Sequence, residues 1–125
     1  MILITGAAGK TGRAITRALA GANVGVRALV HRAEYVDLVQ DMGAKTAIVG
    51  DMGDPTLMQW AMDGVRAVYH ICPNVSPHEV LFGRLAINQA AQAGVEHFVY
   101  HSVLHPQTQE MPHHWLKLRV EEILL

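Results

Sequence analysis

Cysteine is nearly absent from this chain of 125 residues, which contains only Cys72. A disulfide within the chain is therefore excluded, and the composition fits a reducing compartment, so we expect a cytoplasmic protein. Apolar runs are too short to span a bilayer, and the first residues read as a strand rather than as a signal peptide. We accordingly expect no membrane partner.

Charge is also sparse, at 17% of residues, with a formal net charge of −1 and no basic block. This pattern argues against nucleic-acid binding as the main function of the chain. Half of the residues are hydrophobic, which at this length is enough for one core. We expect a single domain over residues 1–125.

A glycine-rich turn interrupts the first apolar run. Residues 1–5 predict a strand, Gly6, Gly9 and Gly12 follow, and residues 11–20 predict a helix. Strand, glycine turn and helix together indicate a dinucleotide site. The unpaired N–H groups and partial positive charge of a helix N-terminus suit a pyrophosphate, and glycine permits close approach. By itself, the glycine spacing fits an ordinary strand-to-helix turn equally well.

Strands and helices then alternate along the whole chain. Strands are predicted at residues 1–5, 24–30, 45–49, 65–71 and 95–101, and helices at 11–20, 33–42, 55–62, 77–93 and from 112 onward. Asp54 and the capping box of Ser76 and Glu79 mark two helix starts. Such alternation predicts a Rossmann-type α/β fold, a doubly wound parallel sheet of order 3-2-1-4-5 with helices on both faces.

The ligand crevice of such a sheet lies at the carboxyl ends of its strands. Polar or conformationally special residues follow every predicted strand: Gly6, then His31 and Arg32, then Gly50, Asp51 and Met52, then Cys72, Pro73 and Asn74, and finally Ser102. Their gathering at one edge strengthens the interpretation of a binding site.

Four segments, residues 5–12, 50–52, 94–102 and 113–117, resemble the atypical short-chain dehydrogenase/reductases, and most closely the NmrA-like group. The resemblance covers essentially the whole chain but only the N-terminal part of such proteins, whose members continue into a C-terminal substrate domain. We therefore expect a chain truncated before that domain.

The position of Arg32 bears on the choice of cofactor. In NAD-selective folds an acidic residue about 20 residues past the glycines binds the ribose, and here that count from Gly12 ends on Arg32. A cation suits a 2′-phosphate, and Lys10 could add a second one. The resemblance also favours NADP. Glu34 could still serve a ribose, which keeps NAD open, and both cations could be ordinary solvated residues.

The resemblance also suggests that Asp51, with Met52 beside it, reads the adenine, although a loop aspartate that caps its own turn is as good an interpretation. For Cys72 we favour a buried, inert thiol over a nucleophile. The predicted cofactor-binding residues are Gly6, Ala8, Gly9, Lys10, Thr11, Gly12, Arg32, Asp51, Met52, Cys72, Pro73 and Lys117.

Reductases of this superfamily carry a serine and a Tyr-x-x-x-Lys motif on one helix face. The resemblance places Ser102 and Lys117 in these roles and His113 in the tyrosine position. Histidine can donate a proton near neutral pH, so the predicted catalytic residues are Lys117, His113 and Ser102. The alternatives are that His113 lies on the surface, that Ser102 caps a loop and that Lys117 only binds cofactor.

Two functions fit these patterns. One is an oxidoreductase that transfers hydride from NADPH to a small quinone-like or conjugated substrate, since the nicotinamide supplies the difficult step. The other is a non-catalytic NADP sensor that regulates a protein partner. We expect the apolar stripe of the last helix to pack in the core. By the resemblance, it could also form the interface of a homodimer. The scattered histidines do not predict a metal site.

Overall fold

The computed structural model describes residues 1–73, 76–108 and 110–125. Within them the elements are β1 (Ile2–Ile4), α1 (Lys10–Gly21), β2 (Val26–Val30), α2 (Val36–Asp41), β3 (Thr46–Val49), α3 (Pro55–Met62), β4 (Ala67–His70), α4 (Glu79–Gln92), β5 (His97–Tyr100) and α5 (Pro112–Leu124). A short 3-10 turn, Ala33–Tyr35, precedes α2.

The five strands form one parallel sheet in the order β3-β2-β1-β4-β5. β1 lies at its centre, where Leu3 pairs with Arg27 of β2 on one side and with Val68 of β4 on the other. The chain therefore builds the sheet outward from β1 through β2 to β3, and then crosses back to place β4 and β5 on the other side of β1. This strand order confirms the predicted fold class.

Helices cover both faces of the sheet, as predicted. Because successive strand residues point to opposite faces, Leu3 packs with Met58 and Ala86, whereas Ile4 packs with Val39 of α2. α3 and α4 belong to the first of these cores, and α1 and α2 to the second. None of the described helices is both long and apolar enough for a membrane span.

The structure confirms one of the two predicted helix starts and contradicts the other. Asp54 caps α3 as predicted, since its carboxylate accepts hydrogen bonds from the N–H groups of Thr56 and Leu57 at 3.0 and 3.4 Å. The predicted capping box before α4 is wrong. The helix begins at Glu79 itself, and the Glu79 side chain turns into the protein interior, where it finds buried partners.

The predicted helix 33–42 is also shorter as an α-helix, because its first turn has the tighter 3-10 form. Asn74, which was expected at the end of the fourth strand, lies outside the described residues.

Candidate nucleotide-binding site

The turn after β1 depends on glycine at two positions. Gly6 has φ +59°, and a Cβ there would lie 2.7 Å from the carbonyl oxygen of Ile71. A Cβ at Gly12 would lie 2.4 Å from the carbonyl oxygen of Gly6. Gly9 differs, because its nearest neighbour would be 3.5 Å from a Cβ. The fold needs Gly6 and Gly12, whereas glycine at position 9 keeps a backbone surface open.

That open surface is the N-terminus of α1. Gly9 occupies the N-cap position without any side-chain cap, and the first turn carries no acidic residue. The first N–H groups of a helix have no partner within it. With Lys10 exposed beside them, they form a site that favours an anion such as a phosphate.

A cavity of about 630 Å³ opens in front of this helix end. It extends over the carboxyl ends of β1 to β4, where the switch in strand order opens a crevice. The sequence-predicted residues that line it are Gly6, Ala8, Gly9, Lys10, Thr11, Gly12, Asp51, Met52, Cys72 and Pro73.

Three ring-bearing side chains also line the cavity but were not among the predicted cofactor-binding residues: His31, which the sequence placed only at a strand end, Tyr35 and Phe82. The rings of His31 and Tyr35 lie 5.3 Å apart between centroids and form one side of it. The place of His31 directly after β2 was a usable signal. Phe82 comes from α4, and only the packing of that helix brings it to the cavity.

Arg32 does not line the cavity. Its guanidinium lies 3.5 Å from the carboxylate of Glu34, and both side chains are 64% exposed. An ion pair this exposed contributes little, so it leaves the Arg32 side chain free to change partners.

Asp51 caps its own turn, and its contact with an adenine stays a prediction. Its carboxylate accepts a hydrogen bond from the N–H of Gly53 at 2.8 Å, so it stabilises its own turn. It also lines the cavity, which leaves the remaining carboxylate oxygen available to a ligand.

The three predicted catalytic residues lie apart from the lining. Lys117 is buried, pairs with Glu79, and has its ammonium 3.5 Å from the carbonyl oxygen of His101. The hydroxyl of Ser102 donates to Glu121. The ring of His113 meets that of His114 edge-on, 4.5 Å between centroids. Lys117 is therefore close to the end of β5, while Ser102 and His113 have local partners.

Two polar groups, Cys72 in the cavity wall and the buried His70 nearby, are held in their neutral forms. Burial lowers the pKa of His70 to about 4, and among the described residues its Nε2 has no hydrogen-bond partner. Burial, and after it the nearby Glu79 carboxylate, raise the pKa of the Cys72 thiol. A thiol with a raised pKa does not act as a nucleophile at neutral pH, which supports the inert interpretation of Cys72.

Within residues 1–73, 76–108 and 110–125, no group of three histidine, cysteine, aspartate or glutamate side chains could hold a metal ion.

The sheet order, the glycine turn on a helix N-terminus and the crevice at the strand ends define a Rossmann-type domain of the NAD(P)-binding class. Sequence comparison is more specific, because residues 1–124 match the NmrA-like family. The chain belongs to that family, which confirms the resemblance seen in the sequence.

Individual proteins are also similar to this chain. The chain is 30% identical over 110 residues to sterol demethylase protein B of Methylococcus capsulatus. Its fold matches an NADPH-dependent quinone oxidoreductase from Escherichia coli crystallised with NADPH, at 26% identity and a TM-score of 0.84. It also matches a short-chain dehydrogenase/reductase superfamily protein from Agrobacterium tumefaciens with bound NAD, at 27% identity and a TM-score of 0.81.

These relatives are much longer proteins. The aligned part covers 80% of this chain but 33% of the Methylococcus protein. Each of the two solved structures is covered to 44% of its length, by 99% of this chain. The nucleotides crystallised with them, NADPH and NAD, agree with the expectation of NADP with NAD as an alternative.

Proposed function

We propose that this chain is the nucleotide-binding part of an oxidoreductase that transfers hydride from NADPH to a small quinone-like or conjugated substrate. The observation that carries the proposal is the cavity at the end of β1, with an uncapped helix N-terminus and an open Gly9 on one wall. Membership of the NmrA-like family and the likeness to a quinone oxidoreductase support the choice of reaction.

The residues around the cavity fit such a cofactor. The turn from Gly6 to Gly12 would hold the pyrophosphate, and Asp51 with Met52 would contact the adenine. Lys10 and Arg32 are the cations available to a 2′-phosphate, which favours NADPH over NADH. When bound, NADPH supplies the hydride, and the chain's own residues bind and orient it.

Gly9 offers a direct test of the phosphate site. A Cβ fits at Gly9 without a clash, and aspartate is a favourable N-cap residue. Gly9→Asp is therefore expected to fold at least as stably as the wild type, yet to place a carboxylate where the pyrophosphate must lie. We expect its affinity for NADPH, measured by isothermal titration calorimetry, to fall at least about a hundredfold.

The matched control is Gly21→Asp, which adds the same side chain at the far end of α1, where a Cβ meets nothing within 4 Å. NADPH affinity should be unchanged in this variant. Equal affinities of the wild type and Gly9→Asp would refute the proposed cradle.

A second candidate is a non-catalytic NADP sensor that binds a regulated protein partner. One specific observation favours it: neither His113, in the tyrosine position, nor Ser102 lines the cavity. Oxidation of NADPH by a panel of quinones separates the two functions. Sustained turnover supports the reductase, whereas binding without turnover supports the sensor.

A further inference from the structure

Glu79 is a buried carboxylate shared by three elements of the fold. It is the first residue of α4 and is 2% exposed. One of its oxygens accepts hydrogen bonds from the Lys117 ammonium on α5 and from the Tyr100 hydroxyl on β5. A carboxylate withdrawn from water is tolerated only when it is paired, so this arrangement of two donors is a specific construction.

The packing of α4 on α5 brings the charges together. One turn beyond Glu79, a Cβ on Gly83 would lie only 2.7 Å from Cγ1 of Val120. Val120 is in turn three residues beyond Lys117, on the same face of α5. The missing side chain at Gly83 therefore lets α5 approach α4 closely enough for the Lys117 ammonium to reach Glu79.

Glu79 also lies directly behind the cavity wall. Cys72 lines the cavity, as does Phe82 from the same turn of α4, and the Glu79 carboxylate is near enough to the Cys72 thiol to raise its pKa. In doubly wound folds the two halves of a dinucleotide use the two halves of the sheet. The β4–β5 half of the sheet, where Glu79 lies, would then bind the nicotinamide half of the cofactor.

We propose that Glu79 is a positioning residue of this site, which holds the Lys117 ammonium at the carboxyl end of β5, on the side of the cavity that would take the nicotinamide half of the cofactor. The inference rests on the proposed function. The Tyr100 ring, 5.4 Å from the ammonium, fixes it from a second side. The ammonium thus has a defined place before any cofactor binds, as a preorganised site requires.

The competing interpretation is that Glu79 and Lys117 form a purely structural pair. The variants Glu79→Gln, Lys117→Met and the double variant separate the two, because removal of one partner strands a buried charge and removal of both does not. Either interpretation predicts that the single variants unfold at lower urea concentration and that the double variant regains most of the wild-type midpoint.

Cofactor affinity then decides between them. If Glu79 positions Lys117, the double variant regains stability but its dissociation constant for NADPH stays about tenfold above that of the wild type, the loss expected for one charge-assisted contact. Wild-type affinity in the stable double variant would overturn the proposal. Glu79→Asp, which keeps the charge, should retain more affinity than Glu79→Gln, and the reverse order would also overturn it.

A spectroscopic readout makes the inference separable from the proposed function. Lys10 and Lys45, the other two lysines, are exposed, so only the Lys117 ammonium should exchange slowly enough for a side-chain 15N–1H correlation at neutral pH. We expect this signal in the wild type and its loss in Glu79→Gln, and its persistence there would show that Glu79 does not hold Lys117. A wild type without affinity for NADPH would overturn the proposed function and the cofactor half of this inference, whatever the lysine signal shows.

Discussion

The hydroxyl oxygen of Thr5 lies 2.9 Å from Nδ1 of His70, across the boundary between β1 and β4. The same oxygen accepts a hydrogen bond from the N–H of Ile71 at 2.9 Å and lies 3.1 Å from the Ile71 carbonyl oxygen. Both side chains are fully buried. One hydroxyl thus joins the two strands at the point where the crevice opens.

Removal of that hydroxyl should be costly. Thr5→Val keeps the size of the side chain but leaves the N–H of Ile71 and Nδ1 of His70 without their partner. Buried polar groups that lose a partner cost about 1–3 kcal/mol in free energy of unfolding, which urea denaturation measures. Thr5→Ser retains the hydroxyl and is the control. Equal stability of Thr5→Val and the wild type would contradict the role given to this contact.

Stability should depend on pH through His70. Burial lowers its pKa from 6.5 to about 4 in the folded state, so between these values the unfolded chain binds the proton and the folded chain does not. Stability is therefore fully present above about pH 6.5 and falls as the pH drops toward 4, by roughly 3 kcal/mol at most.

Denaturation curves of the wild type and of His70→Asn across this range check the assignment. The variant should be less stable at neutral pH but should show a shallower loss on acidification. Parallel curves would mean that other groups cause the acid sensitivity.

Close packing of α4 against α5 predicts that Gly83→Ala destabilises the protein. The added Cβ would lie 2.7 Å from Val120 Cγ1, and overpacking of this kind costs about 1–3 kcal/mol. Gly21→Ala, on a helix position with open space, should instead be neutral or stabilising by up to about 1 kcal/mol. Thermal or urea unfolding of the two variants distinguishes a local clash from a general glycine effect.

Cofactor choice should depend on Arg32. We expect Arg32→Ala to weaken NADPH binding by about tenfold, the loss of one charge-assisted contact, with no change for NADH. Glu34→Gln, which removes the exposed ion-pair partner, should leave NADPH affinity unchanged or improve it. Calorimetric titration with both cofactors measures the ratio, and a wild type that binds them equally would disprove the preference for NADP.

The sequence by itself determined the fold class and the position of the glycine turn after β1. Alternating apolar runs and helical stretches predicted the strand order 3-2-1-4-5, because parallel strands with right-handed crossovers allow few arrangements. Gly6 and Gly12 stood out since their roles are local: a positive φ in one case, a close backbone contact in the other. The residues that directly follow the strands were also identified from the sequence, because their place depends only on where each strand ends.

The tertiary structure decided what depends on contacts between distant segments. Glu79 looked like a helix cap from its neighbours in sequence, but Lys117, 38 residues away, gives it a buried partner. Phe82 reaches the cavity only through the packing of α4. Whether a side chain lies in a crevice or behind its wall is set by packing between elements, a relation that local sequence patterns do not encode.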